Sequence, residues 1–135
     1  MANVQRKLSV GYELARKMVD AAVAKARELG VSENVAVIDD GGNLMAFGRM
    51  DGAPILSTEI AQHKAYTALF GVSTQDFFNF IQGGPSLLAG IPTLARVAAY
   101  GGGFPVKVNG EIVGAIGVSD IDCAKAGLAV VPDSA

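Results

Sequence analysis

The chain has no tryptophan, one cysteine and one histidine. A lone thiol, Cys123, excludes an internal disulfide framework, and a single imidazole, His63, cannot build a zinc site with it. Basic charge is scarce too. The 11 Lys and Arg stand against 13 Asp and Glu, and the net charge of -2 gives no electrostatic footprint for nucleic acid. No apolar run approaches the ~20 residues of a membrane span. The segment from Met1 to Ser9 carries Arg6 and Lys7 but no following apolar stretch of signal-peptide type. These absences predict a cytoplasmic protein with neither nucleic-acid nor membrane partners, organised as a single domain over residues 1–135.

What is abundant is small and apolar. Half of the 135 residues are hydrophobic and 17 are glycine, which favours close approach of backbones over a bulky core. Ala15, Met18, Val19, Ala22, Ala26 and Leu29 recur at helical spacing, with Ser9 as the expected N-cap, Gly30 as the stop and Glu13–Lys17 as an i,i+4 pair. Asn34 to Ile38 and Leu44 to Gly48 flank Asp39-Asp40-Gly41-Gly42-Asn43, an apolar–turn–apolar pattern that predicts a hairpin. Phe104 to Val108 and Glu111 to Val118 flank Asn109-Gly110, the preferred type I′ pair, and predict a second. Between the hairpins, helices are expected from Pro54 to about Phe70 and from a Thr74 cap to Gln82. A loop follows over Leu87 to Pro92, then a short strand over Arg96 to Tyr100. Ser119 with Asp122 resembles a capping box opening a last helix to about Val130. Hairpins imply antiparallel pairing and the amphipathic helices a covered sheet, so the fold class is α/β in the α+β sense, with no Rossmann crossover.

Several residues carry candidate chemistry. Gly101-Gly102-Gly103-Phe104-Pro105 would expose backbone N–H groups to a carboxylate or phosphate, or would let the chain bend and pack closely. The aspartates of Asp39 to Asn43 lack the spacing of a calcium loop and suit a turn. Arg49, in Arg49-Met50-Asp51-Gly52-Ala53-Pro54, offers a planar fork to an anion, or pairs with Asp51 to fix the loop. Ser57 and Thr58 follow at a helix start, with Lys64 on the same helix, making this the best anion pocket on chemistry alone. His63 and Tyr66 are side-chain types that ligate haem iron, but a surface histidine beside Glu59 is the simpler reading. Phe77, Phe78 and Phe80 either stack on a flat cofactor or pack a short helix. Cys123 reads as an inert buried thiol, and no nucleophile elbow occurs.

Leu8-Ser9, Val37-Ile38-Asp39-Asp40-Gly41-Gly42, Arg49 to Pro54, Ile60 to Ala68, Gly101 to Pro105 and Val108 to Ser119, taken in order, resemble the GlcG/HbpS family. The resemblance implies a profilin-like antiparallel sheet flanked by helices, often assembled into homo-oligomers. It implies a small-molecule-binding accessory role, with haem or a related tetrapyrrole as cofactor in some members and a link to iron release or haem degradation. Other members stand beside glycolate or propanediol metabolism, including the C-terminal domain of PduO-type proteins. This leaves open an enzyme or catalytic helper acting on a small carboxylate or carbonyl compound, or a structural oligomer subunit. The matching pocket positions are Arg49, Asp51, Lys64, Gly101, Gly102, Gly103 and Pro105; the resemblance transfers no axial residue, so His63 stays a candidate axial ligand on its own chemistry, with no metal site. The resemblance also implies a glycine-rich loop after the Gly-Val-Ser strand end, whereas here Ser119 runs straight into Asp120-Ile121-Asp122-Cys123.

Overall fold

The computed structural model describes residues 3–135. Helices α1 (Tyr12–Leu29), α2 (Leu56–Ala68), α3 (Thr74–Ile81), α4 (Pro85–Gly90) and α5 (Ile121–Leu128) accompany strands β1 (Asn34–Asp39), β2 (Leu44–Arg49), β3 (Gly103–Val108) and β4 (Glu111–Gly117). The strands form one antiparallel sheet in the order β2-β1-β4-β3, the α+β class expected, with β2 and β3 at its edges. Both hairpin turns follow their chemistry. The Asp39 carboxylate accepts from the Gly41 and Asn43 N–H groups, and Asn109 and Gly110 both adopt positive φ, 52° and 75°.

Alternation along β1 sends its residues to two covered faces. Val35 and Val37 join Met18, Ala22, Val106, Ile116 and Cys123 in the main core beneath α1 and α5. Ile38 and Ala115 face the other way and pack with Ala65 and Ala68 of α2. On that second face one row across the sheet is made of small residues, Ala36 opposite Gly117 and Gly117 opposite Gly103. A Cβ at Gly117 would overlap the Ala61 carbonyl oxygen, and one at Gly103 would overlap that of Lys64. Helix α2 therefore lies with its backbone directly on the sheet, which positions everything on that side.

The structure corrects several local expectations. Gly11, not Ser9, is the N-cap of α1, and the Ser9 hydroxyl instead donates to Asp40 at 2.7 Å. Glu13 pairs with Arg16, which also reaches Asp20, so Lys17 is replaced as the partner. Ser73 caps α3 and Asp120 caps α5, which frees Thr74 and Ser119 for other contacts. Leu87 to Pro92 is α4 and a 3₁₀ turn over Ile91–Thr93, not a loop. Arg96 to Tyr100 is not a strand. The Ala98 N–H, which a strand would direct to a ladder, donates to Thr67 Oγ1 of α2 at 2.9 Å. The segment is thus tied to a helix flank and β3 remains the sheet edge.

The glycine row sets a clear expectation. Gly117→Ala forces α2 off the sheet and destabilises by about 3 kcal/mol or more, at the upper end of overpacking. Gly11→Ala meets no atom within 4 Å at an ordinary φ of -87° and changes stability by under about 1 kcal/mol. Urea unfolding midpoints of the two variants check the contrast.

Candidate functional site

Lys64 lies on the sheet-facing side of α2 and is only 4% exposed. Its Nζ donates to the Val118 carbonyl at a long 3.4 Å and stands 4.9 Å from the centroid of the Tyr100 ring. Gly102, buried and at φ 124°, passes so close that a Cβ there would come within 2.9 Å of the amine. The carboxyl acting on this amine is Glu33, just before β1, itself 7% exposed. Burial lowers the Lys64 pKa, with Glu33 opposing. Burial raises that of Glu33, and the charge of Asp120 adds to the rise. The Asp120 N–H, Lys64 and the Ser119 hydroxyl hold it back. Cys123 faces the same acidic group and is pushed up to about 11, first by burial and then by Asp120, Glu33 and Asp122. It is an inert thiol although it begins a helix.

Lys64, Gly102 and Gly103 are thus brought together, while Gly101 flanks Gln75 and Ile121. The Gly103 N–H donates to Thr74 Oγ1 at 2.9 Å, and Pro105 lies within edge strand β3 opposite Ala115. Arg49 is used elsewhere. Its guanidinium donates to the Ala53 carbonyl at 3.1 Å, fixing its own loop. Together with Asp51 it lines a groove of about 680 Å³ between β2 and α1, which Arg16, Asp20 and Arg27 make strongly polar. His63 Nε2 is 3.6 Å from Glu59 one turn earlier.

A second cavity, of about 550 Å³, opens between α2, α3, α4 and the segment after the 3₁₀ turn. Its walls are mostly apolar and include Leu69, Phe70, Phe77, Phe80, Leu94 and Val97, with Asp40 and Thr67 as polar members of the lining. Phe70 packs edge-on against Phe77 at 5.1 Å and stacked on Phe80 at 6.1 Å. Yet Phe70 is 64% and Phe80 57% exposed, so this aromatic cluster faces out of the fold. Tyr66 also lines the cavity, and the Arg96 guanidinium lies 3.8 Å over its ring. Spacing along the chain had no means of naming Glu33, Arg96 or Tyr100, which enter through long-range contacts.

A model of the haem degrading protein HbpS-like family matches residues 10–129. The chain belongs to this family. Among relatives, an uncharacterised 15.0 kDa protein from the dhaT-dhaS intergenic region of Citrobacter freundii is 37% identical over 121 residues, covering 88% of this chain and 85% of that one. Protein GlcG of Escherichia coli K12 is 33% identical over 117 residues, covering 86% and 85%. Among solved structures, HbpS superposes with a TM-score of 0.88 at 30% identity, covering 96% of this chain and 95% of that one. A PduOC:heme complex superposes at 0.84 and 27% identity, covering 92% and 96%. The HbpS-like fold therefore spans nearly all of both chains.

Because the amine of Lys64 is buried at a cost, Lys64→Met is expected to fold. The folded wild type holds its proton less tightly than the unfolded chain does. Wild-type stability should therefore rise relative to Lys64→Met as pH climbs from the lowered folded pKa towards 10.5. Denaturant unfolding of both proteins at pH 7 and pH 10 measures that difference, and an unchanged gap would contradict it.

Proposed function

We propose that this HbpS-like protein is a small-molecule-binding accessory protein whose ligand is haem or a related tetrapyrrole, held in the cavity between α2 and α3. The observation that carries this reading is an outward-facing slot of about 550 Å³ with aromatic walls and an arginine–tyrosine pair on its rim. A porphyrin needs apolar walls for its plane, a cation for its propionates and a donor for its iron. Phe70, Phe80 and Leu94 meet the first need, Arg96 the second and the Tyr66 hydroxyl the third. His63 fits less well, since its imidazole is directed at Glu59. When bound, haem supplies a redox-active iron; the chain supplies enclosure, orientation and charge. The solved haem complex of a relative supports the same ligand class.

Self-association belongs to this reading. The sheet ends in two edge strands, β2 and β3, each with one side free to pair or to be covered by another copy. A small carboxylate held jointly by Arg49 and Lys64 gains less support. Arg49 is engaged by Ala53, and Lys64 is buried with Glu33 as the charge acting on it.

Titration with haemin should give a saturable, shifted Soret band. Phe80→Glu and Arg96→Ala should each weaken binding at least tenfold, or about 1.4 kcal/mol. Tyr66→Phe should alter the band itself, while His63→Ala leaves it unchanged. A wild-type protein that gives no saturable shift overturns the proposal.

A further inference from the structure

Of the two edge strands, β3 is blunted by Pro105 and the exposed Lys107, whereas β2 holds neither proline nor lysine. The Met50 N–H donates to the Glu33 carbonyl, inward across the pair with β1. By alternation Gly48 and Ala46 also turn their backbone groups inward, so Phe47 and Arg49 direct theirs out of the sheet. Helix α1 stands along this edge and sits low over β2, since a Cβ at Gly48 would come within 2.9 Å of Val19. The groove between them, of about 680 Å³, is lined by Val19, Val23 and Ala46 and extends from Tyr12 to Arg27, ~22 Å of helix. Only Gly30 to Glu33 separate α1 from β1, and Asn34 at the start of β1 pairs with Arg49, so Arg27 and Arg49 stand at one end of the groove. These two guanidiniums face one carboxylate there, Asp51. Among the described residues Arg27 has no ion pair, and Arg49 spends one N–H on Ala53. Arg16, towards the other end, is already matched by Glu13 and Asp20.

We propose that this groove takes an extended segment of a partner protein as a further strand of the sheet, antiparallel to β2 and acidic at its N-terminal end. The site is separate from the slot proposed for haem, which is built on α2 on the other face of the sheet. Exposed strand N–H and C=O groups are complementary to another extended backbone. The residues opposite Phe47 and Arg49 exchange both hydrogen bonds with them and turn their side chains away from α1. The residues opposite Ala46, Gly48 and Met50 drop their side chains into the groove. There the first two meet Val19 and Val23, and the third meets Arg27, with Arg49 beside it. A carboxylate in that third place gains charge-assisted hydrogen bonds. Because β2 ends at Arg49, the antiparallel direction puts that carboxylate at the segment's N-terminal end.

A second copy of this chain is a poorer occupant. The strand Leu44–Arg49 contains no acidic residue, so β2 paired with β2 brings Arg27 no carboxylate from the incoming strand. With Phe47 opposite Phe47 about a twofold axis, Arg49 falls opposite Met45, which is left out of register at a bulge, and regular pairing stops at both ends. A foreign segment carries neither restriction.

The test uses the full chain and an acetylated hexapeptide, glutamate–threonine–valine–threonine–valine–threonine, with rhodamine at its C-terminus, read by fluorescence anisotropy. Saturable binding with a Kd below about 1 mM is expected. Lysine in place of the peptide's glutamate, and Arg27→Glu in the protein, should each weaken it at least about tenfold, and the two changes together should restore it to within about threefold. An N-methyl group on the second threonine removes the N–H given to the Phe47 carbonyl and should also cost at least about tenfold. Phe47→Pro makes the same deletion from the protein's side; if that variant fails to fold, the N-methylated peptide decides. Hydrogen exchange should slow on peptide binding at the Phe47 and Arg49 amides and not at Gly48. Absence of saturable binding, or equal binding of the N-methylated peptide, overturns the inference. So does a Phe47 amide already protected in the peptide-free protein, the mark of an edge covered by a second copy.

Discussion

The seating of α2 on bare backbone governs this fold. Ala36, Gly117 and Gly103 form a row with almost no side-chain height, and the carbonyls of Ala61 and Lys64 lie against it. Glycine in a strand costs conformational entropy and packing. Here that cost is offset by closeness, because a helix at this distance buries Ala65 and Ala68 against Ile38 and Ala115 without any large side chain. The opposite face is built in the ordinary way, with Met18, Val35, Val37 and Ile116 filling the space beneath α1 and α5. The two layers differ because one is spaced by side chains and the other by main chain.

The close seating has an electrostatic consequence. A long side chain on the inner face of α2 cannot stay over the sheet, so Lys64 extends to the end of β4, where pairing stops and the Val118 carbonyl is free. The same end of the sheet brings in Glu33, which precedes β1, and Asp120, which follows β4, because β1 and β4 are antiparallel neighbours. Three ionisable groups from distant parts of the chain thus meet where the sheet frays. The pKa values of Lys64 and Glu33 are shifted first by burial, and only then by the charges around them.

Legibility in the sequence divides along this line. The hairpins and α1 were readable because their signals are local: alternation, Asn109-Gly110, and the spacing of Ala15, Met18, Val19, Ala22 and Ala26. Lys64 and the Gly101–Gly103 run were readable as motifs, and the close-packing reading of those glycines describes Gly102 and Gly103 correctly. Cap residues slipped by one or two positions, because Ser9 and Ser119 have tertiary partners that a one-dimensional pattern does not contain. The Arg96 to Tyr100 segment looked like a strand since it is short and apolar, but Thr67 competes for its N–H. Glu33 carried no signal at all. An acidic residue before a strand is commonplace, and only the register of β1 with β4 makes it part of a site.

One helix serves two environments because of its period. Successive residues are turned by about 100°, so Tyr66 stands on the flank of α2 away from Lys64, facing the aromatic cavity instead of the sheet. Thr67 lies between these directions and fastens Ala98 to the helix. The chain on either side of that anchor is divided accordingly: Val97 closes the apolar cavity, and Tyr100 covers the amine of Lys64. The Thr67 hydrogen bond, together with Arg96 over Tyr66 and its bond to the Gly42 carbonyl, therefore holds the stretch that walls both places. That is a sufficient physical reason for a buried threonine on a helix otherwise packed through alanine.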